Sequence, residues 1–166
     1  MKRLIPGVLL LSSALALAST IRAHTLADRF AASDRVALVQ VVSRVTRAQG
    51  NERNLKTYTQ LLIGESYKGS GPEEVTLVQL GGRLGEVESR IPGDADFAVG
   101  ETALVFLHCP QAQRCYLVAL GEGKLKIQGD QVLVHDLFTG AWHKRPLRAL
   151  VADLKKAAAA GTEARR

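Results

Sequence analysis

The feature that most constrains the fold is a succession of short strand-like segments separated by turn-forming residues. Beginning at Val36, apolar and polar residues alternate over a few positions at a time, and glycine, proline, asparagine or aspartate follow most segments. A period of two is typical of a strand that buries one face, and several short strands in one chain favour a small barrel or a sandwich. The predicted strands are 36–47, 57–63, 75–80, 103–108, 115–120 and a hairpin over 125–134 that turns at Gly129 and Asp130. The polar segment 48–54 is predicted to be a turn because of its composition.

Only the end of the chain shows the spacing of a helix. Apolar residues recur there at helical intervals, namely Leu147, Leu150, Val151 and Leu154. Pro146 suits the first turn of such a helix, and residues 157–166 are expected to fray, with 161–166 as a disordered tail. We therefore predict a mainly β fold, a small antiparallel barrel with one C-terminal helix packed on it. A β-sandwich is the alternative.

The N-terminus has the three parts of a cleavable secretory signal peptide. Two basic residues precede the uncharged apolar run 4–17, and the sequence Ala-Leu-Ala ends at Ala18, where a signal peptidase reads small residues. The run is too short to cross a bilayer and has no polar face, which disfavours a membrane anchor and an N-terminal core helix. We predict a signal peptide at 1–18, with cleavage after Ala23 as the second choice.

Removal of the signal peptide leaves a chain of one-domain length. We predict a loose leader at 19–33, one domain at 34–160 and a mature protein that is periplasmic or extracellular. No second long apolar run follows, so no membrane span is expected in the mature chain. Its net charge is about +4, its basic residues are scattered and its aromatic residues are few, which disfavours nucleic-acid binding. The oligomeric state stays open.

The two cysteines of the chain, Cys109 and Cys115, are separated by five residues and flanked by predicted strands. Because an exported protein meets an oxidising compartment, we favour a disulfide that holds the turn between strands 103–108 and 115–120. A metal or redox pair aided by His108 is the alternative. It is disfavoured because this spacing is neither that of a zinc site nor that of a thioredoxin motif.

No motif for catalysis, a cofactor or a metal is found in the sequence. The glycine-rich segments 81–85 and 121–124 lack the other residues of nucleotide-binding loops, and 64–69 lacks the spacing of a nucleophile elbow. Asp94 and Asp96 are expected to be turn residues rather than calcium ligands. The histidines are expected at exposed strand ends: His24, His108, His135 and His143. We predict no catalytic residue, no cofactor and no metal.

The order of segments from 36 to 127 resembles that of a known group of proteins. A valine-rich strand (ALVQVVSRV) precedes TYTQLLI and a YKG turn, and VTLVQLGG, IPG, FAVGE, ALVFL and YLVALGEGK follow. This order resembles uncharacterised exported bacterial proteins, and more remotely it is similar to the netrin-like module of tissue inhibitors of metalloproteinases. The resemblance implies an OB-like barrel. Those inhibitors chelate zinc through an N-terminal cysteine, and because this chain has none near its mature N-terminus, their mechanism does not carry over.

The leading functional hypothesis is an exported, non-enzymatic binding or interaction module of the cell envelope or extracellular space, with an unidentified protein or envelope partner. Its expected contact surface is the long loop 83–100, because long irregular loops often carry function. The alternative role of that loop is to cover one end of the barrel. A second hypothesis is a small exported hydrolase that assembles His108, His135 and Asp136. A third is a protease-inhibitor-like netrin-type module without the N-terminal cysteine mechanism.

Overall fold

The computed structural model describes residues 25–136 and 139–163. The predicted signal peptide 1–18 and His24 lie outside the described residues. Ten strands and two helices follow one another, with a short 3-10 turn at Leu120–Gly123. In chain order the elements are α1 (Leu26–Ala32), β1 (Arg35–Gln49), β2 (Asn51–Lys68), β3 (Glu74–Leu80), β4 (Gly82–Leu84), β5 (Val87–Ser89), β6 (Thr102–Gln111), β7 (Arg114–Leu117), β8 (Lys124–Gln128), β9 (Gln131–His135), β10 (Trp142–Pro146) and α2 (Leu147–Glu163).

Five strands close into a barrel in the order β1, β2, β3, β7, β6 and back to β1. Strands β6, β1, β2 and β3 form a Greek key, because the long connection after β3 brings β6 back beside β1. The predicted small barrel with a C-terminal helix is thus confirmed. One pairing is parallel rather than antiparallel: β7 enters between β6 and β3, and Thr76 then lies opposite Arg114 with both strands running the same way.

The barrel wall separates two apolar cores. The inner core fills the barrel, and the outer core lies between the wall and the helices. Along β6, Val105 belongs to the inner core while Leu104 and Phe106 belong to the outer core. Because β6 is buried on both faces, its sequence is apolar without interruption, as predicted for a central strand. The outer core comprises Phe30, Val36, Leu104, Phe106, Leu125, Val132, Leu147, Leu150, Val151 and Leu154.

The hairpin of β1 and β2 is longer than predicted. The segment 48–54 was expected to be a turn because of its polar composition, but β1 continues to Gln49 and β2 begins at Asn51. Gly50, with a φ of 78°, lies between the two strands, and the strand pairing beside it is irregular. The prediction was wrong here because the residues that pair at this end are mostly polar and backbone pairing does not require an apolar pattern, although Leu55 is buried.

The expectation of a loose leader at 19–33 was also wrong for the described part of that segment. Helix α1 begins after Thr25, whose hydroxyl accepts the N–H of Asp28 while the Asp28 carboxylate accepts the N–H of Thr25. This reciprocal capping box closes the helix start, and Phe30 enters the outer core. A helix of seven residues is too short to show a periodic apolar stripe, which is why the composition misled.

Helix α2 follows the predicted stripe, since Leu147, Leu150, Val151 and Leu154 all lie in the outer core. Pro146 ends β10 instead of standing in the first helical turn. The expected fraying from 157 was wrong as well, because α2 continues to Glu163; the run of alanines at 157–160 has the highest helix propensity. Of the predicted tail 161–166, residues 164–166 lie outside the described residues.

Strands β8, β9 and β10 extend the sheet beyond the barrel from β6. The predicted hairpin with Gly129 and Asp130 at its turn is confirmed, with Gln128 opposite Gln131. Strand β10 was not predicted, because its sequence WHKRP shows no alternation of apolar residues. Within the described ranges, no helix has the length and apolar character that crossing a membrane requires.

Candidate binding surface

The sulfur atoms of Cys109 and Cys115 lie 2.09 Å apart, the distance of a disulfide bond. The bridge joins the end of β6 to the start of β7 and encloses the turn between them, which we call the disulfide turn (109–115). At its base, Asp34 accepts hydrogen bonds from the Cys109 N–H at 2.8 Å and from His108 Nδ1 at 2.7 Å. These two contacts lower the pKa of Asp34, the backbone hydrogen bond being the larger cause.

The three residues of the hydrolase hypothesis lie in separate places. His108 is bound to Asp34, whereas the ring of His135 lies 4.7 Å from that of Trp142, two strands away from β6. Asp136 accepts the N–H of Thr139 in the turn before β10. The structure therefore does not bring these residues together. Over the residues that the structure describes, no three histidine, cysteine or acidic side chains are placed to hold a metal ion.

The other side chains considered in the sequence, His143, Asp94 and Asp96, lie on a strand and in a loop. His143 is exposed on β10. Asp94 accepts the N–H of Ala95 in a turn, and Asp96 forms an ion pair of 2.6 Å with Arg44. Asp94 ends the turn that begins at Ile91, whereas Asp96 lies in the loop without a turn of its own.

The loop 83–100 is only partly irregular and partly buried. It begins with the small hairpin of β4 and β5, and its Phe97 is only 2% exposed and packs in the inner core. The ammonium of Lys124 lies 4.4 Å from the centre of the Phe97 ring and 2.7 Å from the carboxylate of Glu101. This end of the loop therefore covers one end of the barrel. That role was the alternative to a contact surface.

The Glu101–Lys124 pair predicts an acid-sensitive stability. Burial raises the pKa of Glu101, but the hydrogen bonds from Lys124 and from the Ala98 N–H outweigh it and leave the pKa below its ordinary value of 4.5. A carboxyl whose pKa is lower in the folded state than in the unfolded state stabilises the fold at pH values above its unfolded-state pKa. This stabilisation is lost as the pH falls through the folded-state pKa. Glu101→Gln should therefore lower the melting temperature at pH 7 and flatten its decline below pH 4.5.

The matched control for this prediction is Glu86→Gln, an exposed acid in the turn between β4 and β5. It should leave the pH profile of the melting temperature unchanged. Parallel profiles for the wild type and Glu101→Gln between pH 5 and pH 3 would contradict the role given to Glu101.

The outer wall of the barrel carries a different kind of surface. Strand register places Ser43, Gln60, Thr76 and Arg114 in one row across β1, β2, β3 and β7, and Tyr58 in the next row with Val45 and Val78. An open concave space of about 800 Å³ lies over these rows, beside the disulfide turn. We call it the Tyr58 surface; it is lined by Arg47, Tyr58, Gln60, Pro72, Thr76, Gln111, Ala112, Gln113 and Arg114.

Hydrogen bonds hold the aromatic centre of the Tyr58 surface in place. Gln49 donates to the Tyr58 hydroxyl at 2.6 Å, and the Arg47 guanidinium carbon lies 5.7 Å from the centre of the Tyr58 ring. On the neighbouring strand the Thr76 hydroxyl donates to Gln60 Oε1 at 2.9 Å, while its N–H donates to the Gln113 carbonyl at 2.7 Å. The last bond ties the disulfide turn to β3, so the turn forms a fixed wall.

Among the side chains that the structure describes, the lining of the Tyr58 surface has positive charge and amides but no carboxylate. Arg47 and Arg114 contribute two guanidinium groups, and three glutamines offer both donors and acceptors. The nearest acid by register is Glu74, two positions before Thr76 on β3, and it stands outside the lining. Such a surface is suited to anionic ligands that also carry hydroxyl groups.

Sequence reasoning missed this surface because its residues come from five strands and from the connections between them. The only local signal was alternation, which places Tyr58 and Gln60 on the same face of a strand without indicating a ligand. Arg114 joins them through the parallel pairing of β7 with β3, which no local pattern indicates. No protein-family model matches the chain, and no curated protein matches it.

Proposed function

We propose that this protein is an exported, non-enzymatic binding module of the cell envelope or extracellular space, and that its Tyr58 surface holds an acidic polysaccharide. The observation that carries the proposal is the composition of that surface: two arginines, one tyrosine and three glutamines around a concave wall on which the described side chains include no carboxylate. Charge attracts the acidic groups, the amides pair with sugar hydroxyls, and the ring packs against the apolar face of a sugar.

The order of the barrel strands supports an OB-like assignment. A five-stranded Greek-key barrel is the architecture of the OB fold, in which the face of strands 2 and 3 and the adjoining loops bind oligonucleotides and oligosaccharides. The Tyr58 surface occupies the face of β2 and β3, and the disulfide turn stands beside it. The proposed kinship with exported OB-like bacterial proteins and, remotely, with netrin-like modules agrees with this arrangement.

Two features favour a polysaccharide over the other anionic polymers. The lining side chains project from the outward face of the barrel wall, whereas a peptide that adds to a sheet as a further strand needs a strand edge. A single aromatic ring offers too little stacking for successive bases of a nucleic acid. Recognition here must come from side chains, and the side chains present match a chain of hydroxyls and acids.

Export is the part of the proposal that rests on the sequence. Residues 1–18 have the pattern of a signal peptide, and the disulfide between Cys109 and Cys115 fits an oxidising compartment. An acidic polysaccharide is a ligand that an exported protein meets outside the cytoplasm. The location and the surface therefore agree.

Binding to polygalacturonate, measured by isothermal titration calorimetry, tests the proposal. We expect saturable binding that weakens as salt rises, because charged contacts at an exposed surface are screened. Arg114→Gln and Tyr58→Ala should each weaken the affinity by about three- to tenfold. Arg148→Gln, which removes an exposed charge from α2, is the matched control and should bind like the wild type.

Two further ligands distinguish specific recognition of an acidic polysaccharide from general attraction of negative charge. Neutral dextran should not bind, which would show that the acids of the ligand are needed. Polyglutamate of equal charge should bind at least about tenfold more weakly, since it has no hydroxyls for the glutamines. Equal affinity for polyglutamate, or an Arg114→Gln variant as tight as the wild type, would refute the proposal.

A further inference from the structure

Strand β10 is the outermost strand of the eight-stranded sheet, and among the described residues no strand pairs with its second edge. Its partner β9 is antiparallel, with Trp142 opposite His135 and Lys144 opposite Leu133. The edge lies on the part of the sheet that extends beyond the closed barrel. It therefore offers a whole strand with one side open to pairing.

The hydrogen bonds at the two ends of the hairpin show which backbone groups point outward. Asp136 donates to Ala141, and Leu147 donates to Asp130, so the pairs 136–141 and 130–147 are hydrogen-bonded pairs. In an antiparallel ladder such pairs alternate with non-bonded ones, which places 142–135 and 144–133 among the non-bonded pairs. The N–H and C=O groups of Trp142 and Lys144 consequently face the open edge.

Trp142 indicates that this strand edge is a contact site and not only a protected strand end. Its side chain is 64% exposed and packs on the ring of His135 at 4.7 Å, at the mouth of a groove of about 640 Å³. Short strands with lysine and proline protect an edge against unwanted pairing, and β10 has both. Protection does not require a large exposed aromatic side chain, however, and a tryptophan at the rim of a groove is typical of a contact residue.

The charge of the edge selects its partner. Lys144 and Lys126 stand exposed on the same face of the sheet, and His143 precedes Lys144, whereas Arg145 is paired with Asp153 of α2. A second copy of this strand would bring the Lys144 side chains of the two copies close together, which disfavours self-pairing. An acidic strand is complementary to the same charges.

We propose that β10 accepts an extended acidic peptide as an additional strand, with Trp142 packing against one of its apolar side chains. Backbone hydrogen bonds to Trp142 and Lys144 provide the register, and the basic side chains select acidic sequence. This site is separate from the Tyr58 surface and does not depend on the proposed polysaccharide binding.

The test uses Trp142 as its own reporter, because it is the one tryptophan of the chain. The probe is a blocked seven-residue peptide that alternates glutamate and valine, titrated while the tryptophan emission is followed. Two matched probes accompany it: the same peptide with alternate amides N-methylated, and a lysine–valine peptide. We expect a saturable change with the acidic peptide, at least about tenfold weaker binding after N-methylation, and none with the basic peptide.

Two variants of Lys144 distinguish the contribution of its backbone N–H to binding from that of its charge. Lys144→Pro removes an outward N–H without breaking the ladder to β9, because proline is tolerated where the N–H of an edge strand faces solvent. It should weaken binding by about tenfold, whereas Lys144→Gln, which keeps the N–H, should weaken it by about threefold. Arg148→Gln is again the unchanged control.

Several results would overturn the proposal. Equal binding of the N-methylated and unmodified peptides would show attraction by charge without strand pairing. Equal binding of the lysine–valine peptide would remove the role of the basic side chains. A concentration-dependent dimer in analytical ultracentrifugation that Lys144→Pro abolishes would assign the edge to self-pairing instead. If Lys144→Pro does not fold, the N-methylated probe still decides.

Discussion

Leu150→Ala is expected to lower the free energy of unfolding by about 2–5 kcal/mol. Leu150 is only 1% exposed and lies in the outer core, where α2 packs with Phe30 of α1 and Phe106 of β6. Truncation removes apolar burial and leaves a cavity between three elements that are distant in sequence. Because this apolar stripe packs α2 against the barrel, truncation of Leu150 weakens the packing of the whole helix.

The measurement is equilibrium unfolding in urea, with the wild type and Arg148→Ala as references. Arg148 lies two positions earlier on the exposed side of α2, so its truncation removes no core contact and should change stability by less than about 0.5 kcal/mol. Equal stability of the two variants would show that α2 is an appendage of the barrel rather than part of its core.

Gly69→Ala should destabilise the fold by about 3 kcal/mol or more. Gly69 has a φ of 70°, and a Cβ at this position would stand 2.2 Å from the carbonyl oxygen of Asp34. The clash is with main-chain atoms, which cannot move aside as the end of a flexible side chain can. Movement of Asp34 would also disturb the hydrogen bonds through which its carboxylate holds His108 and Cys109.

Gly129→Ala is the control that separates conformation from collision. Its φ of 64° is close to that of Gly69, but a Cβ there meets nothing within 4 Å. It should therefore cost only the strain of a left-handed residue, about 1–2 kcal/mol. Similar unfolding free energies for the two variants would mean that the contact with Asp34 relaxes without cost.

The strands that could be predicted from sequence are those with one or two buried faces. Strand β3 begins one residue before its predicted start, and the apolar run of β6 and the stripe of α2 both bury the residues expected of them. The elements that escaped prediction bury little or are short. The far half of the β1–β2 hairpin, α1 and β10 all lack an apolar period, because each is held by hydrogen bonds or by one anchoring residue.

The binding surfaces were beyond prediction for a different reason. Arg114 stands beside Thr76 only because β7 inserts between β6 and β3, and Trp142 borders a groove only because β10 extends the sheet past the barrel. Both are consequences of strand order, which local sequence does not encode. The loop 83–100, which composition marked as the contact surface, instead places Phe97 inside the barrel.

The seam between β1 and β6 has a consequence for the rate of folding. It sets Val36 opposite Phe106, so the ring closes only when segments about 70 residues apart have met. Contacts that are this distant in sequence slow the search for the native topology, and barrels of this kind fold in milliseconds to seconds rather than microseconds. In the proposed export, slow closure keeps the newly made chain unfolded long enough to be threaded through a membrane before its cores assemble.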